Sequence, residues 1–269
     1  MIRAHFGLDR DPFDRNELPL LPHQQDVLDT LRVHCHQGGF CVVVGEPGTG
    51  KSVIKDALVQ LDRKRLHVPV VGRTMHTYHS VLRILCEAFQ LETKGRSIHC
   101  ERRLIDEAHA IHQRGHMLVP LIDDAHLLDI DSLRRLRLLF DDFLTSHNLV
   151  LVAQPPLLHR LALTTNDDLR SRITYSVRLH KLAPDDMRDF LHRELDRAAI
   201  AHSTFTDDAL ALIIRSSSGL LRRARNLALS SLHEAVRDRI RSVGLDQVNP
   251  VLLQPHWQSV RDLDLDTIF

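Results

Sequence analysis

Short apolar runs alternate with longer amphipathic segments over the first two thirds of the chain. The runs have the length and bulk of buried parallel strands, and the segments between them repeat their apolar residues at helical spacing. The predicted strands are residues 40–44, 67–71, 117–122, 148–154 and 176–179. The predicted helices are residues 23–36, 52–61, 79–89, 101–113 and 132–144. This alternation predicts an α/β fold with a central parallel β-sheet flanked by helices, and ligand sites at the carboxyl ends of the strands.

Beyond Pro184 the pattern changes to helices alone, at residues 185–198, 206–216 and 220–240. We therefore expect four parts in the chain: a proline-containing extended segment over 1–22, an α/β domain over 23–180, a small all-helical lid domain over 181–244 and a tail over 245–269. The tail carries Trp257 and four aspartates, and its sequence favours weak structure.

Composition excludes a mainly disordered chain, because 43% of the residues are hydrophobic and 26% are charged. Thirty-five basic residues balance 35 acidic ones, so the net charge is zero and any site for a polyanion must be local. Thirty of the basic residues are arginines, whose planar guanidinium suits phosphate.

Several features of the sequence predict a cytoplasmic protein. Its four cysteines form no CxxC pair, and the first residues lack the apolar core of a signal peptide. No run approaches 18 apolar residues, so membrane insertion is not expected.

The strongest local motif follows the first predicted strand directly. Residues 45–52 read GEPGTGKS, a complete GxxxxGKS phosphate-binding loop between a strand and a helix. Backbone N–H groups of such a loop and the positive end of the helix face a phosphate, while Lys51 supplies charge and Ser52 a ligand for Mg²⁺. The predicted cofactors are ATP and Mg²⁺. The predicted nucleotide-binding residues in this loop are Gly45, Glu46, Pro47, Gly48, Thr49, Gly50, Lys51 and Ser52.

Two carboxylates close the third predicted strand, in LVPLIDD at residues 118–124. A phosphate loop of this type works with a carboxylate at the end of a neighbouring strand. We assign Asp123, with Ser52, to the metal, and Asp124 to orienting or deprotonating the attacking water. The alternative is an acidic turn that caps the next helix.

The motifs in this order resemble those of the AAA+ ATPases, which carry a P-loop NTPase core and a small helical lid. The resemblance covers about residues 5–245 and rests on GEPGTGKS, LIDDAHLLD, LVLVAQPPLL and GLLRRARNL. The opening HFGLDRDPFD at residues 5–14 is similar to the start of the ExeA/GspA-like branch and of related transposition helper ATPases.

The resemblance implies roles for three further residues. Gln154 matches the sensor 1 position, with a plain strand-end residue as the alternative. Arg172 matches the arginine finger, with Arg170 as a competing candidate and a surface ion pair to Asp167 or Asp168 as the alternative. Arg222 matches sensor 2, although Leu221 replaces the usual proline; the nearby Arg223 and Arg225 could face solvent or DNA instead.

One departure from the AAA+ motif pattern affects the expected rate of ATP hydrolysis. Members of the family that this chain resembles usually end this strand in Asp-Glu, whereas the second acid here is Asp124, one methylene shorter. A general base must lie within hydrogen-bond reach, so we expect slow turnover.

The resemblance also implies partners: further copies of this chain in a ring or helical filament, double-stranded DNA and a transposase. Residues 215–241 hold seven arginines against two acids, and Arg134, Arg135 and Arg137 form a second cluster, although either set also suits a solvated helix face. Two alternatives remain open: an ATPase that assists a secretion or envelope complex, and a nucleotide-gated scaffold that scarcely hydrolyses ATP.

Overall fold

The computed structural model describes residues 2–14, 18–72, 77–143 and 148–257. The apolar run at residues 40–44 forms the centre of strand β1, Gly39–Gly45, which is buried on both faces. Val42 and Val44 enter one hydrophobic cluster, whereas Cys41 and Val43 enter another. This burial on both faces explains why the run lacks alternating polar residues.

The remaining strands are β2 Leu66–His67, β3 Val70–Val71, β4 Met117–Leu118, β5 Leu121–Ile122, β6 Asn148–Ala153 and β7 Ile173–Leu179. Five of the strands form one sheet in the order β3-β5-β6-β1-β7, and every pair in it is parallel. A separate pair, β2 and β4, is also parallel.

Helices pack against the sheet and contribute residues to both hydrophobic clusters. The helices before residue 180 are α1 Ile2–Phe6, α2 Pro22–Gln37, α3 Lys51–Gln60, α4 Tyr78–Ala88, α5 Ser97–Gln113, α6 Ile130–Asp141, α7 Pro156–Leu161 and α8 Asp167–Arg170, of which α1 belongs to the helical unit described below. The cluster that contains Cys41 includes residues of α2 and α3, and the cluster that contains Val42 includes residues of α4, α5 and α6. The predicted α/β fold with a parallel sheet between helices is therefore confirmed.

Prolines divide two of the predicted strands. Residues 67–71 and 117–122 are each predicted as one strand, but the chain forms the two short strands β2 and β3, and likewise β4 and β5. Pro69 and Pro120 have no N–H to donate, so the ladder is interrupted there. Their carbonyls still accept, from Leu121 N and Val150 N at 2.9 Å each, which keeps the two halves aligned.

Two short helices, α7 and α8, follow β6 where the sequence pattern predicted none. Each is six residues or shorter, too short for a helical period to stand out. The predicted helix over 132–144 ends earlier, at Asp141, and residue 144 lies outside the described residues.

The helical unit groups Met1–Leu18, Pro47–Thr49 and Lys181–Phe269. Its core is built from the apolar faces of its longer helices, among them Leu191, Ile213 and Leu227. Its helices after residue 180 are α9 Pro184–Arg197, α10 Asp207–Ser217, α11 Leu221–Arg237 and α12 Leu245–Leu252.

Two expectations for the ends of the chain are wrong for described residues. Residues 2–6 form the helix α1 within the segment predicted as extended, and His5 Nε2 lies 2.8 Å from Ile240 O. Residues 245–252 form α12 within the tail predicted as weakly structured, because Val248 and Val251 are fully buried. Residues 258–269 of that tail lie outside the described residues.

Arg225 fastens the first residues of the chain to the helical unit. Its guanidinium donates to the carbonyls of Phe13 at 2.8 Å and Asp14 at 2.6 Å. Its Nε lies 3.0 Å from Oε2 of Glu194, whose side chain is only 3% exposed. The expectation that Arg225 faces solvent or DNA is therefore wrong, because a buried carboxylate requires a partner.

Arg225→Met should destabilise the helical unit by about 3 kcal/mol, because it leaves Glu194 with less charge compensation and two carbonyls without their donor. Denaturant unfolding followed by circular dichroism measures the loss. Arg237→Met is the matched control: Arg237 lies on the same helix and pairs with Glu234, but its side chain is 69% exposed, so about 0.5 kcal/mol is expected. Equal losses in the two variants would contradict the buried role of Arg225.

No helix within the described ranges combines the length and the apolar character needed to cross a bilayer.

Candidate nucleotide-binding site

The phosphate loop joins the end of β1 to the start of α3. Gly48 and Gly50 adopt positive φ angles of 90° and 98°, a conformation that side-chain-bearing residues rarely take, and these turns let α3 begin at Lys51. A helix that begins immediately after such a loop directs its first N–H groups and its positive end toward the loop. The motif predicted from sequence thus has the local backbone of an anion site.

Lys51 is held at the base of this loop. Its Nζ donates to Gly45 O at 2.7 Å and to Glu46 O at 2.9 Å, so the ammonium stays beside the first two residues of the motif. Thr49 is buried, and Ser52 follows Lys51 as the second residue of α3 with its side chain exposed. An ammonium and an exposed hydroxyl at the start of one helix suit a phosphate and its metal.

The predicted acids follow β5. Asp123 Oδ1 accepts the N–H of Asp124 at 2.9 Å, and Asp123 Oδ2 accepts from Lys55 Nζ at 2.8 Å. Lys55 lies one helical turn after Ser52, on the same face of α3. The Lys55 contact therefore brings the Asp123 carboxylate to the face of α3 that carries Ser52, and these oxygen donors fit Mg²⁺.

Strand β5 is not adjacent to β1, contrary to the expectation of a neighbouring strand, because β6 lies between them. Val44 of β1 is opposite Ala153 of β6, and Ile122 of β5 is opposite Leu151. The residues after these strands are therefore brought to the same edge of the sheet. Gln154, which directly follows β6 and is half-buried, lies between the phosphate loop and the acids along that edge.

Asp124 has a left-handed backbone, with φ 49° and ψ 35°, and its carboxylate is about half exposed. Asparagine and aspartate tolerate this conformation better than most residues. Asp124 therefore lies in a turn after the strand, and its surroundings differ from those of Asp123. Asp123 is bonded and mostly buried, whereas Asp124 is open to solvent.

His126 is a site residue that the sequence pattern did not indicate. It lies in a one-turn 3₁₀ helix after the acids, its side chain is 10% exposed, and its Nδ1 is 3.9 Å from Asp124 Oδ1. That buried Nδ1 has no hydrogen-bond partner among the described residues. Burial lowers the pKa of His126, and the positive charges of Lys51 and Arg160 act in the same direction against the two aspartates. These surroundings favour the neutral form of the imidazole beside Asp124.

Lys55 is the second residue that the sequence did not assign. Its position three residues after Ser52 indicates that it lies near the phosphate loop. Its partner Asp123 is 68 residues away in the sequence, so the local pattern does not reveal their contact. Burial disfavours the charged form of Lys55, yet the hydrogen bond and negative charge of Asp123 outweigh that effect and raise the pKa of Lys55.

The two candidate arginine fingers have different surroundings. Arg170 pairs with Asp167 at 2.8 Å, whereas Arg172 is exposed and lines a cavity of about 330 Å³ with residues 37–40. Arg172 directly precedes β7 and therefore lies at the amino edge of the sheet, since Ile173 is opposite Phe40 in β1. The seven residues of β1 separate that edge from the phosphate loop by about 20 Å.

Arg222 is the second residue of α11 and is exposed. Residues 47–49 group with the helical unit, and within it the Arg222 N–H donates to Gly48 O at 3.3 Å. A Cβ at Gly48 would lie 3.0 Å from Cβ of Arg222, so this approach of two backbones requires glycine. The backbone of Arg222 thus lies against Gly48 of the predicted nucleotide loop.

The arginine cluster on α6 already has partners. Arg134 pairs with Asp168 at 2.7 Å, Arg137 pairs with Asp141 at 3.3 Å, and Arg135 lies over the ring of Tyr78 at 4.0 Å. The three arginines thus have partners within the chain, which makes them less available to bind phosphate. In the other predicted cluster, five arginines are exposed: Arg215, Arg222, Arg237, Arg239 and Arg241.

Comparisons with known proteins agree with this geometry. A family model described as "AAA domain" matches residues 33–161. The chain is 28% identical over 232 residues to the general secretion pathway protein A of Aeromonas hydrophila, covering 82% of this chain and 42% of that protein. The chain thus spans less than half the length of this relative.

Solved structures show the same fold at low identity. Cdc6p from Pyrobaculum aerophilum has a TM-score of 0.70 at 17% identity, covering 90% of this chain and 68% of that one. The Aeropyrum pernix ORC1 protein, in a complex with DNA, has a TM-score of 0.70 at 18% identity, covering 88% and 66%. Together with the sheet order, these matches show that the chain has a P-loop NTPase fold, with similarity to an AAA domain over residues 33–161 and to general secretion pathway protein A.

Proposed function

We propose that this chain is an AAA+ ATPase that binds ATP and Mg²⁺ at the carboxyl edge of its sheet and hydrolyses the nucleotide. The observation that carries the proposal is the meeting of Lys51, Asp123 and Gln154 at one edge, from the ends of three adjacent strands. Phosphoryl transfer depends on positioning and charge stabilisation, and this edge supplies both.

Each residue has a role in this proposal. Lys51 and the loop N–H groups bind the phosphates, and Ser52 and Asp123 hold Mg²⁺, which would neutralise phosphate charge. Asp124 orients or deprotonates the attacking water, and Gln154 contacts the γ-phosphate. Because Asp124 is short, turnover is slow unless a partner draws the water closer.

The position of Arg172 supports catalysis between copies of the chain. The backbone of Arg172 lies at the far end of β1, about 20 Å from its own phosphate loop, so its side chain is too short to reach a nucleotide bound there. In a ring or helical filament, Arg172 would instead stabilise charge on the γ-phosphate of a neighbouring copy, with Arg222 reporting the nucleotide state from its own helical unit.

We further propose that the ATP-bound assembly engages duplex DNA and recruits or stimulates a transposase. The motif order and the opening segment support this role, as does the fold shared with an ORC1 protein whose structure was solved with DNA. The exposed Arg215, Arg239 and Arg241 are the phosphate contacts in this proposal.

A second candidate function is assistance to a secretion or envelope complex. The identity to general secretion pathway protein A favours it. This candidate predicts affinity for a membrane protein and indifference to DNA.

Co-sedimentation with duplex DNA and a nonhydrolysable ATP analogue separates the two candidates. We expect a complex that requires the analogue and weakens steeply with salt, because phosphate contacts release counterions. The double variant Arg239→Gln/Arg241→Gln should weaken it about tenfold or more, whereas the control Arg83→Gln, an exposed arginine paired with Glu87, should not. A protein that binds the analogue but sediments without DNA would favour the secretion candidate.

A further inference from the structure

Lys55 forms an ion pair with Asp123, the carboxylate that the proposed function assigns to the metal. Its Nζ is 2.8 Å from Asp123 Oδ2 and 3.9 Å from Asp56 Oδ1, and its side chain is 20% exposed. The other oxygen of Asp123 accepts the N–H of Asp124. Both oxygens of the metal-side acid are thus hydrogen-bonded within the chain.

The same face of α3 carries two ammonium groups. Lys51 and Lys55 are four residues apart, a spacing that places their side chains next to each other on a helix. Lys51 is directed to the carbonyls of Gly45 and Glu46, which leaves Lys55 as the ammonium bonded to Asp123. A divalent cation between Ser52 and Asp123 would therefore meet a positive charge already bound to its ligand.

We propose that Lys55 is a tethered cation that competes with Mg²⁺ for Asp123 and so sets the magnesium concentration at which nucleotide binds. This inference rests on the proposed function, because it takes Asp123 as the metal-side carboxylate. With Asp123 committed to a metal, Asp56, whose largely exposed carboxylate lies 3.9 Å from Nζ, would remain as the acidic partner of Lys55. The ion pair thereby keeps Asp123 in position and raises the amount of metal that the site requires.

A magnesium titration of nucleotide binding tests the competition. The full-length chain is incubated with a fluorescent, nonhydrolysable ATP analogue, and its binding is followed by anisotropy at increasing free Mg²⁺. Lys55→Met should reach half-maximal binding at about tenfold lower Mg²⁺ than the unmodified chain, because one nearby repulsive charge is removed. Lys55→Gln serves as the second neutral variant should the methionine variant fold poorly.

Two controls test whether the Mg²⁺ midpoint depends on a positive charge at position 55 in particular. Lys55→Arg keeps a cation beside Asp123 and should retain a midpoint close to that of the unmodified chain. Lys64→Met removes one exposed positive charge elsewhere on the chain and should also leave the midpoint unchanged.

The outcomes separate this inference from the proposed function. An unchanged or higher Mg²⁺ midpoint in both neutral variants, with normal analogue binding, would overturn the competition alone. If the unmodified chain fails to bind the analogue at any Mg²⁺ concentration, the proposed function fails, and the role of Lys55 fails with it.

Discussion

Lys51→Ala is expected to abolish ATP binding, with a loss of affinity of at least about 100-fold, or about 2.8 kcal/mol. The substitution removes the ammonium that lies at the base of the phosphate loop, bonded to Gly45 O and Glu46 O. Charge-assisted contacts to phosphate are among the strongest that a side chain makes. Isothermal titration with ATP and Mg²⁺ measures the effect.

Lys64→Ala is the matched control for this experiment, because it removes an exposed lysine in the turn after α3. Its affinity should equal that of the unmodified chain. If Lys51→Ala binds ATP normally while remaining folded by circular dichroism, the assignment of the phosphate site is wrong.

Asp124→Asn is expected to retain ATP affinity within about threefold while slowing hydrolysis about 100-fold or more, the range typical of removing a general base. The asparagine keeps the size of the side chain and tolerates the left-handed backbone at this position. It loses the negative charge that would orient or deprotonate water. Single-turnover hydrolysis of labelled ATP separates this step from product release.

Two companion variants sharpen the result. Asp106→Asn neutralises an exposed carboxylate on α5, away from the proposed site residues, and should hydrolyse ATP at the unmodified rate. Asp124→Glu adds the missing methylene and should raise the rate, if reach limits turnover. Equal rates for Asp124→Asn and the unmodified chain would support the nucleotide-gated scaffold instead.

Local patterns predicted much of the α/β unit. The strand at residues 40–44, the turn at 45–50 and the helix after it are neighbours in sequence, so their glycines and apolar runs specify them without distant contacts. The same holds for the longer helices, whose apolar periodicity extends over three or more turns. Short elements such as α7 and α8 carry too few residues for a periodic signal.

The ends of the chain could not be predicted in this way. Residues 245–252 are mixed in polarity, and they form α12 because Val248 and Val251 find an apolar surface on other helices. Arg225 belongs to an arginine-rich run, which by composition suits solvent or DNA. Its burial is decided by Glu194, which lies on a different helix.

The sequence by itself determined the candidate site groups of this protein: a phosphate-loop motif, two acids and a polar strand end, each specified by residues that are close together along the chain. The tertiary structure alone decided how these groups meet. It placed β6 between β1 and β5, bound Asp123 to Lys55, buried His126 beside Asp124 and set Arg172 at the opposite edge. The physical reason is that strand order, burial and ion pairing depend on residues far apart in sequence, which no local pattern records.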